Sequence, residues 1–336
     1  MAKPGRSYRI ISDWCTVAYS HVSGSDPFAK AAETFSVPED VVRRKDIRFP
    51  SHGLNCAGWS YEGTSAAGGK RPCIVMAHGL GAIKEMRLDA YATAFATAGY
   101  NVLVFDYRHF GDSQGEPRQI LSPSRQLEDW HAAVEYTRSL RTTDPDRIVL
   151  WGTSLSGGHV VATAAKDPRV AAVISQVPHF NAIAALSAIG PFGVVRLTTH
   201  ACYDLLKALL GLAPHYIASS APPGRLAFMT QPGSDEGYLD LVPPGHPFDR
   251  RIAARFGILA AFYSPGNALP KLTIPCLVQV AMRDNITPPG AAIAACRRSK
   301  SATLKTYDCG HFDPYVPPLF EIFVKHQIEF LRDHVI

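Results

Sequence analysis

RIVLWGTSLSGGH, residues 147–159, is the stretch on which the fold turns. Its opening run, RIVLW, is almost continuously apolar, the pattern of a strand covered on both faces. A glycine-rich turn follows, and a helix opens behind it. A serine hydroxyl is a poor nucleophile, so it must be held out at a sharp strand-to-helix turn beside a base. Ser154 stands at that position. Small neighbours let the backbone cross closely: Gly152 lies two before it, while Ser156 lies two after it, where glycine is usual. The competing reading is a helix start that packs on the sheet or binds phosphate. The spacing is not that of a P-loop, and no lysine is placed to reach a phosphate.

Outward from this turn the alternation repeats. Residues 73–77 (CIVMA), 101–106 (NVLVFD), 170–177 (VAAVISQV) and 276–281 (CLVQVA) are further buried-strand runs, and 302–307 ends the series. Residues 45–50 and 54–61 read as an antiparallel pair. Helical patterns occupy 86–98, 124–140, 155–166 and 318–331. Strand-helix alternation predicts an α/β fold with a mostly parallel central sheet and helices on both faces. The expected layout is an N-terminal arm over 1–40, a core over 41–177 and 271–336, and an insertion over 178–270. The insertion is too long for a loop inside a compact domain. Helical pieces at 198–210 and 248–262 predict a largely helical lid.

Composition bounds the function. Of 336 residues, 46% are hydrophobic and 19% charged, enough apolar material for a large core and too much for a disordered chain. The net charge of +5 is spread over short basic clusters rather than gathered on one face, which argues against nucleic acid as a partner. Seven cysteines lie far apart with no Cys-x-x-Cys, so a reducing compartment without disulfides is expected. The N-terminus lacks the apolar stretch of a signal peptide. Residues 170–195 carry no Asp, Glu, Lys or Arg, yet Pro178, Gly190, Pro191 and Gly193 break the run, so no membrane span is expected. A cytoplasmic protein is the resulting expectation.

The remaining chemistry collects at strand ends, where loops converge in an open α/β sheet. A tetrahedral intermediate needs preorganised N–H donors for its oxyanion. The loop Ala77-His78-Gly79-Leu80-Gly81 can supply the N–H of Leu80, and the N–H of Leu155 follows the serine. His78 reads as a residue that fixes this loop. Asp284 follows the strand at 276–281, and His311 follows the strand at 302–307. A histidine base needs an acid to fix its tautomer. Asp308 and Asp313 flank His311, but sequence neighbours seldom reach round to the ring, so Asp284 is the expected acid. The 13 histidines form no His-x-His or His-Glu-x-x-His, and no G-x-G-x-x-G follows a strand, so neither a metal nor a cofactor is expected.

The stretches HGLGAIKEMRLDAYATAFATAGYNVLVFDYRHFGDSQGEPRQ (78–119) and WGTSLSGGH (151–159) resemble the α/β-hydrolase superfamily. The likeness runs from about residue 46 to the end. Within the superfamily they resemble dienelactone hydrolases and X-Pro peptidase-type hydrolases, and most of all fungal polyketide transferases and thiohydrolases. The chain order Ser154, Asp284, His311 matches that resemblance. It implies acyl chemistry on a polyketide-like ester or thioester, with an acyl carrier protein as one donor it leaves open. Asp106, Arg108 and His109 match a loop that shapes such sites without doing chemistry. A carbon–carbon hydrolase or lyase with the same triad and a non-catalytic ligand receptor are the rivals. The insertion enters beside Ser154, so it is expected to roof the site. Phe180, Phe192 and Phe262 are its expected contacts to an apolar acyl substrate. Oligomeric state is not readable.

Overall fold

The computed structural model describes residues 42–64 and 69–335; the arm expected over 1–40 lies outside them. Strands β1 (Arg44–Ser51) and β2 (Leu54–Tyr61) form the expected hairpin. Then come β3 (Arg71–Ala77), α1 (Leu88–Thr97), β4 (Asn101–Phe105), α2 (Pro123–Ser139), β5 (Thr143–Thr153), α3 (Leu155–Ala164) and β6 (Val170–Gln176). The insertion holds α4 (Ala182–Ile189), α5 (Pro191–Leu209), β7 (Tyr216–Ser220), β8 (Ala227–Met229), α6 (Ser234–Leu239), β9 (Arg251–Ala253) and α7 (Phe256–Ala261). The core resumes with β10 (Cys276–Ala281), α8 (Pro289–Arg297), β11 (Ala302–Tyr307) and α9 (Leu319–His334).

Eight strands make one sheet in the order β1-β2-β4-β3-β5-β6-β10-β11. Only the β1–β2 and β2–β4 pairs are antiparallel. Every residue of β4 and β10 is buried, as continuous apolar runs require when helices cover both faces. The two-residue period of β5 then splits its side chains. Ile148 and Leu150 join Trp130 and Val134 of α2 and Val160 of α3 in one layer. Val149 and Trp151 join Tyr91 of α1 and Leu331 of α9 in the other. Each fully buried side chain of this size stabilises the fold by about 1.5–3 kcal/mol. Hydrophobic burial on both sides thus fixes β5, and with it the turn at its end.

The insertion is not purely helical. Its β7, β8 and β9 form a three-stranded sheet in the order β8-β7-β9. Two of these strands are three residues long, too short to display a period in sequence. The helix expected over 248–262 is therefore β9 followed by the short α7. Both ends of the insertion meet at the core. Gly266 N–H donates to Phe180 O at 3.0 Å, and Ala182 N–H donates to Ser264 Oγ at 3.1 Å.

Helix α5 turns Leu197, Ala201 and Asp204 inward, at i, i+4 and i+7. Asp204 is buried but fully engaged, accepting from Nε of Arg255 at 2.7 Å and from the backbone N–H of His215 at 2.7 Å. The outer face exposes Val195, Leu206, Leu209 and Leu210. Among the described residues no single helix is long and apolar enough to cross a membrane.

Candidate active site

Strand β5 delivers Ser154 into a backbone conformation that L-residues rarely adopt, φ 57° and ψ −120°. The surroundings hold it there. Ser154 N–H donates to Gln176 O at 2.9 Å, and Ser154 O accepts from His179 N–H at 2.8 Å. A Cβ at Gly152 would collide with the carbonyl oxygen of Ser156, so no larger residue fits two before Ser154. Position 156 has room for more than glycine because its hydroxyl has a partner. Ser156 Oγ lies 2.6 Å from Tyr107 OH, which accepts from Trp130 Nε1 at 2.9 Å.

Ser154, His311 and Asp284 come together from three strand ends. Ser154 Oγ is 3.0 Å from His311 Nε2, and His311 Nδ1 is 2.6 Å from Asp284 Oδ2. Asp284 is itself fixed. Its Oδ1 accepts the backbone N–H groups of Ile286 and Thr287, each at 2.8 Å, and its Oδ2 accepts from Thr287 Oγ1 at 2.7 Å. Burial pushes this carboxyl up, but the adjacent His311 and the Thr287 donors outweigh it and hold it below the usual carboxylate range. It therefore stays ionised beside the ring. Asp308 and Asp313 are used elsewhere. Asp308 pairs with Arg283 at 3.1 Å, and Asp313 Oδ2 accepts from Gly310 N–H at 2.7 Å.

The Leu80 loop passes directly over the serine. A Cβ at Gly79 would lie 2.9 Å from Ser154 Cβ, so the loop comes this close only with glycine there. Tyr238 OH from the insertion donates to Leu80 O at 3.0 Å and steadies the loop. Leu80 and Leu155 both line the cavity at Ser154. Behind the loop lies a buried ion cluster whose key member, Lys84, sequence reasoning missed. Lys84 Nζ reaches Glu85 at 2.6 Å, Asp106 at 2.8 Å and Asp112 at 2.6 Å. Those three carboxylates are close enough together to hold a cation, and the Lys84 ammonium fills their midst. A cation followed by an acid of the next strand's loop was the available signal. His78 packs edge-on against Tyr107 and sits 3.5 Å from Asp106 Oδ1, in the loop-fixing place expected of it.

The acyl-contact residues differ from expectation. Phe192 and Phe262 are 81% and 86% exposed and line neither cavity at Ser154. Phe180 is buried, but against Gly266 and the core rather than in the cavity. The cavity at Ser154 is lined instead by Ala182, Leu186 and Ile189 of α4, Leu197 of α5, and Phe228 and Phe256. Ala182, Ala185, Leu186 and Ile189 recur at i, i+3, i+4 and i+7, which puts them on one helix face. That phase was legible in the sequence. Side-chain size was the wrong guide.

Beside Tyr263 near the insertion's end, His159 is held neutral. Burial, then the neighbouring His179 and His78, push its pKa down to about 3. In that state Nε2–H donates to Gln126 Oε1 at 2.9 Å and Nδ1 accepts from Tyr263 OH at 2.5 Å. The ring ties α2, α3 and the end of the insertion together without titrating near neutrality.

Residues 74–321 match the Alpha/beta hydrolase family. Over 287 residues the chain is 42% identical to the quorum-quenching protein AidA of Acinetobacter baumannii, spanning 85% of this chain and 94% of that one. It is also 42% identical over 130 residues to thiohydrolase aneE of Aspergillus aculeatus, 39% of this chain and 40% of that protein. Among solved structures it resembles the alpha/beta hydrolase GrgF from Penicillium sp. sh18, with a TM-score of 0.74, 24% identity, and coverage of 87% and 99%. With its parallel sheet and with the family match over most of its length, this chain belongs to the alpha/beta hydrolase family and is an enzyme of the hydrolase type.

Proposed function

We propose that the protein is a serine acyl hydrolase or acyltransferase acting on an apolar, polyketide-like ester or thioester. The observation that carries this reading is the unbroken hydrogen-bonded relay Ser154–His311–Asp284 at the floor of an apolar cavity. Relatives named thiohydrolase, polyketide transferase and acyltransferase support the acyl chemistry. Ser154 Oγ attacks the carbonyl carbon as its proton passes to His311 Nε2. The oxyanion takes hydrogen bonds from the N–H groups of Leu80 and Leu155. Asp284 keeps the Nδ1–H tautomer and stabilises the imidazolium. The acyl-serine is then released to water or to an alcohol.

A fluorophosphonate probe should give one covalent adduct, on Ser154; a labelled protein whose adduct lies elsewhere, or no adduct at all, would end this reading. The cavity predicts chain-length selection as well. Each methylene buried against Leu186, Ile189 and Leu197 contributes up to about 0.8 kcal/mol, roughly fourfold in kcat/KM, until the space is filled. Truncating Phe192 or Phe262 to Ala should leave that slope unchanged, because both face solvent. Outright preference for acetyl esters would show that the cavity does not hold the acyl chain.

A further inference from the structure

Ser154 lies where two cavities meet, and they differ in which part of the relay they touch. The first is the apolar space under α4 and α5. The second lies beyond Leu80 and Met229, which line both. Its walls are Met86 from the Leu80 loop, Phe312 and Tyr315 from the histidine loop, and Tyr238 and Leu241 from the insertion. His311 lines only this second cavity.

That asymmetry assigns the two ends of the substrate. When the tetrahedral intermediate collapses, the leaving atom must take its proton from His311 Nε2, so it stands on the His311 side. We propose that the second cavity is the leaving-group site, and that it restricts substrates to esters or thioesters whose alcohol or thiol part is small and uncharged. This rests on the serine acyl-transfer reading above. The bond from Ser154 Oγ to the carbonyl carbon forms, and the carbon–oxygen or carbon–sulfur bond to the leaving group breaks. The serine proton, carried by His311, ends on the departing atom, and a neutral alcohol or thiol is left in the second cavity. By the reverse path, the water or alcohol that collects the acyl group is activated from the same side.

The walls define the chemistry. Among the described residues no Lys, Arg, Asp or Glu lines the second cavity, and every lining residue except Leu80 and Phe312 is buried. The phenol hydroxyls are spent: Tyr238 OH donates to Leu80 O, and Tyr315 OH is bonded to Thr153 Oγ1. Apart from His78, Thr153 and the relay itself, what faces the leaving group is ring and aliphatic carbon. A phosphorylated arm placed here would leave water with no partner for its charge. The cavity holds only about 30 Å³, so a long arm does not fit within it and would have to run out past half-exposed Leu80 and Phe312. A thioester carried on pantetheine is therefore a poor donor, while a small thioester is not.

Four octanoyl donors test this: the ethyl ester, the S-ethyl thioester, the pantetheine thioester and the coenzyme A thioester. The two ethyl compounds should exceed the other two by at least about 100-fold in kcat/KM. Because both thio- and oxygen esters are present in the small class, the readout separates size and charge from the identity of the leaving atom. Equal or better turnover of the coenzyme A or pantetheine donor would overturn the assignment while leaving the fluorophosphonate adduct on Ser154 intact. Loss of that adduct together with all turnover would instead overturn the serine reading itself. The cavities should also be separable by mutation. Leu241→Trp should lower the benzyl-to-methyl ratio of octanoate esters at least tenfold without altering acyl-length preference. Leu186→Trp should do the reverse. If each variant changes both preferences, the two cavities do not hold separate ends of one substrate.

Discussion

Ser154→Ala should lose on the order of a million-fold in kcat while keeping the wild-type fold. The substitution removes one atom, Oγ, whose hydrogen bond in the structure is to His311 Nε2. Its backbone bonds to Gln176 and His179 do not involve the side chain and remain. The left-handed conformation costs alanine about what it costs serine, so the melting temperature should shift little. The measurement is a paired one, kcat on an octanoyl ester and thermal unfolding. A folded variant that retains more than about 1% of the rate would mean that another group attacks the carbonyl.

Asp284→Asn should lose roughly ten-thousand-fold, and the structure says why an almost isosteric change is so damaging. The backbone N–H groups of Ile286 and Thr287 both point at Oδ1, so the amide oxygen of an asparagine must take that place. Its NH2 then occupies the position of Oδ2 and faces His311 Nδ1. A donor there forces the proton onto Nε2, the atom that has to accept from Ser154. The base is disabled by its tautomer, not by its position. Asp308→Asn and Asp313→Asn, whose carboxylates serve Arg283 and the Gly310 N–H, should stay within a fewfold of wild type. Should either prove slower than Asp284→Asn, the orienting acid has been misassigned.

The parts legible in the sequence are those where one local rule decides the outcome. Continuous apolar runs mark β4, β5 and β10 because helices cover both faces of the sheet, and each such run ends where a loop can carry chemistry. Ser154 and Asp284 could be listed from that alone, whereas His311 follows β11, whose residues are half-buried or exposed and form no such run. The insertion could not be read as well, since β8 and β9 are shorter than the windows in which a period shows. Lys84 carries only a weak signal, a cation with an acid in the next strand's loop, because its role appears only when the fold brings Asp106 and Asp112 to it. Phe192 and Phe262 were chosen for bulk. Which way they point depends on how α5 and α7 are rotated, and burial of Leu197, Ala201 and Phe256 settles that rotation the other way.

The dihedrals of Ser154 have a consequence for how this enzyme would change under selection. With φ 57° and ψ −120°, the residue occupies the mirror image of the ordinary extended region, which glycine enters freely and serine does not. Holding an L-residue there costs on the order of 1–3 kcal/mol. Ser154→Gly should therefore be more heat-resistant than either the wild type or Ser154→Ala, although it has no nucleophile. A population screened only for survival at high temperature would drift toward that protein, since the proposed nucleophile is also among the easiest residues to improve upon for stability. Thermal hardening of this scaffold has to be selected jointly with activity, or the first gains will come at the reactive centre.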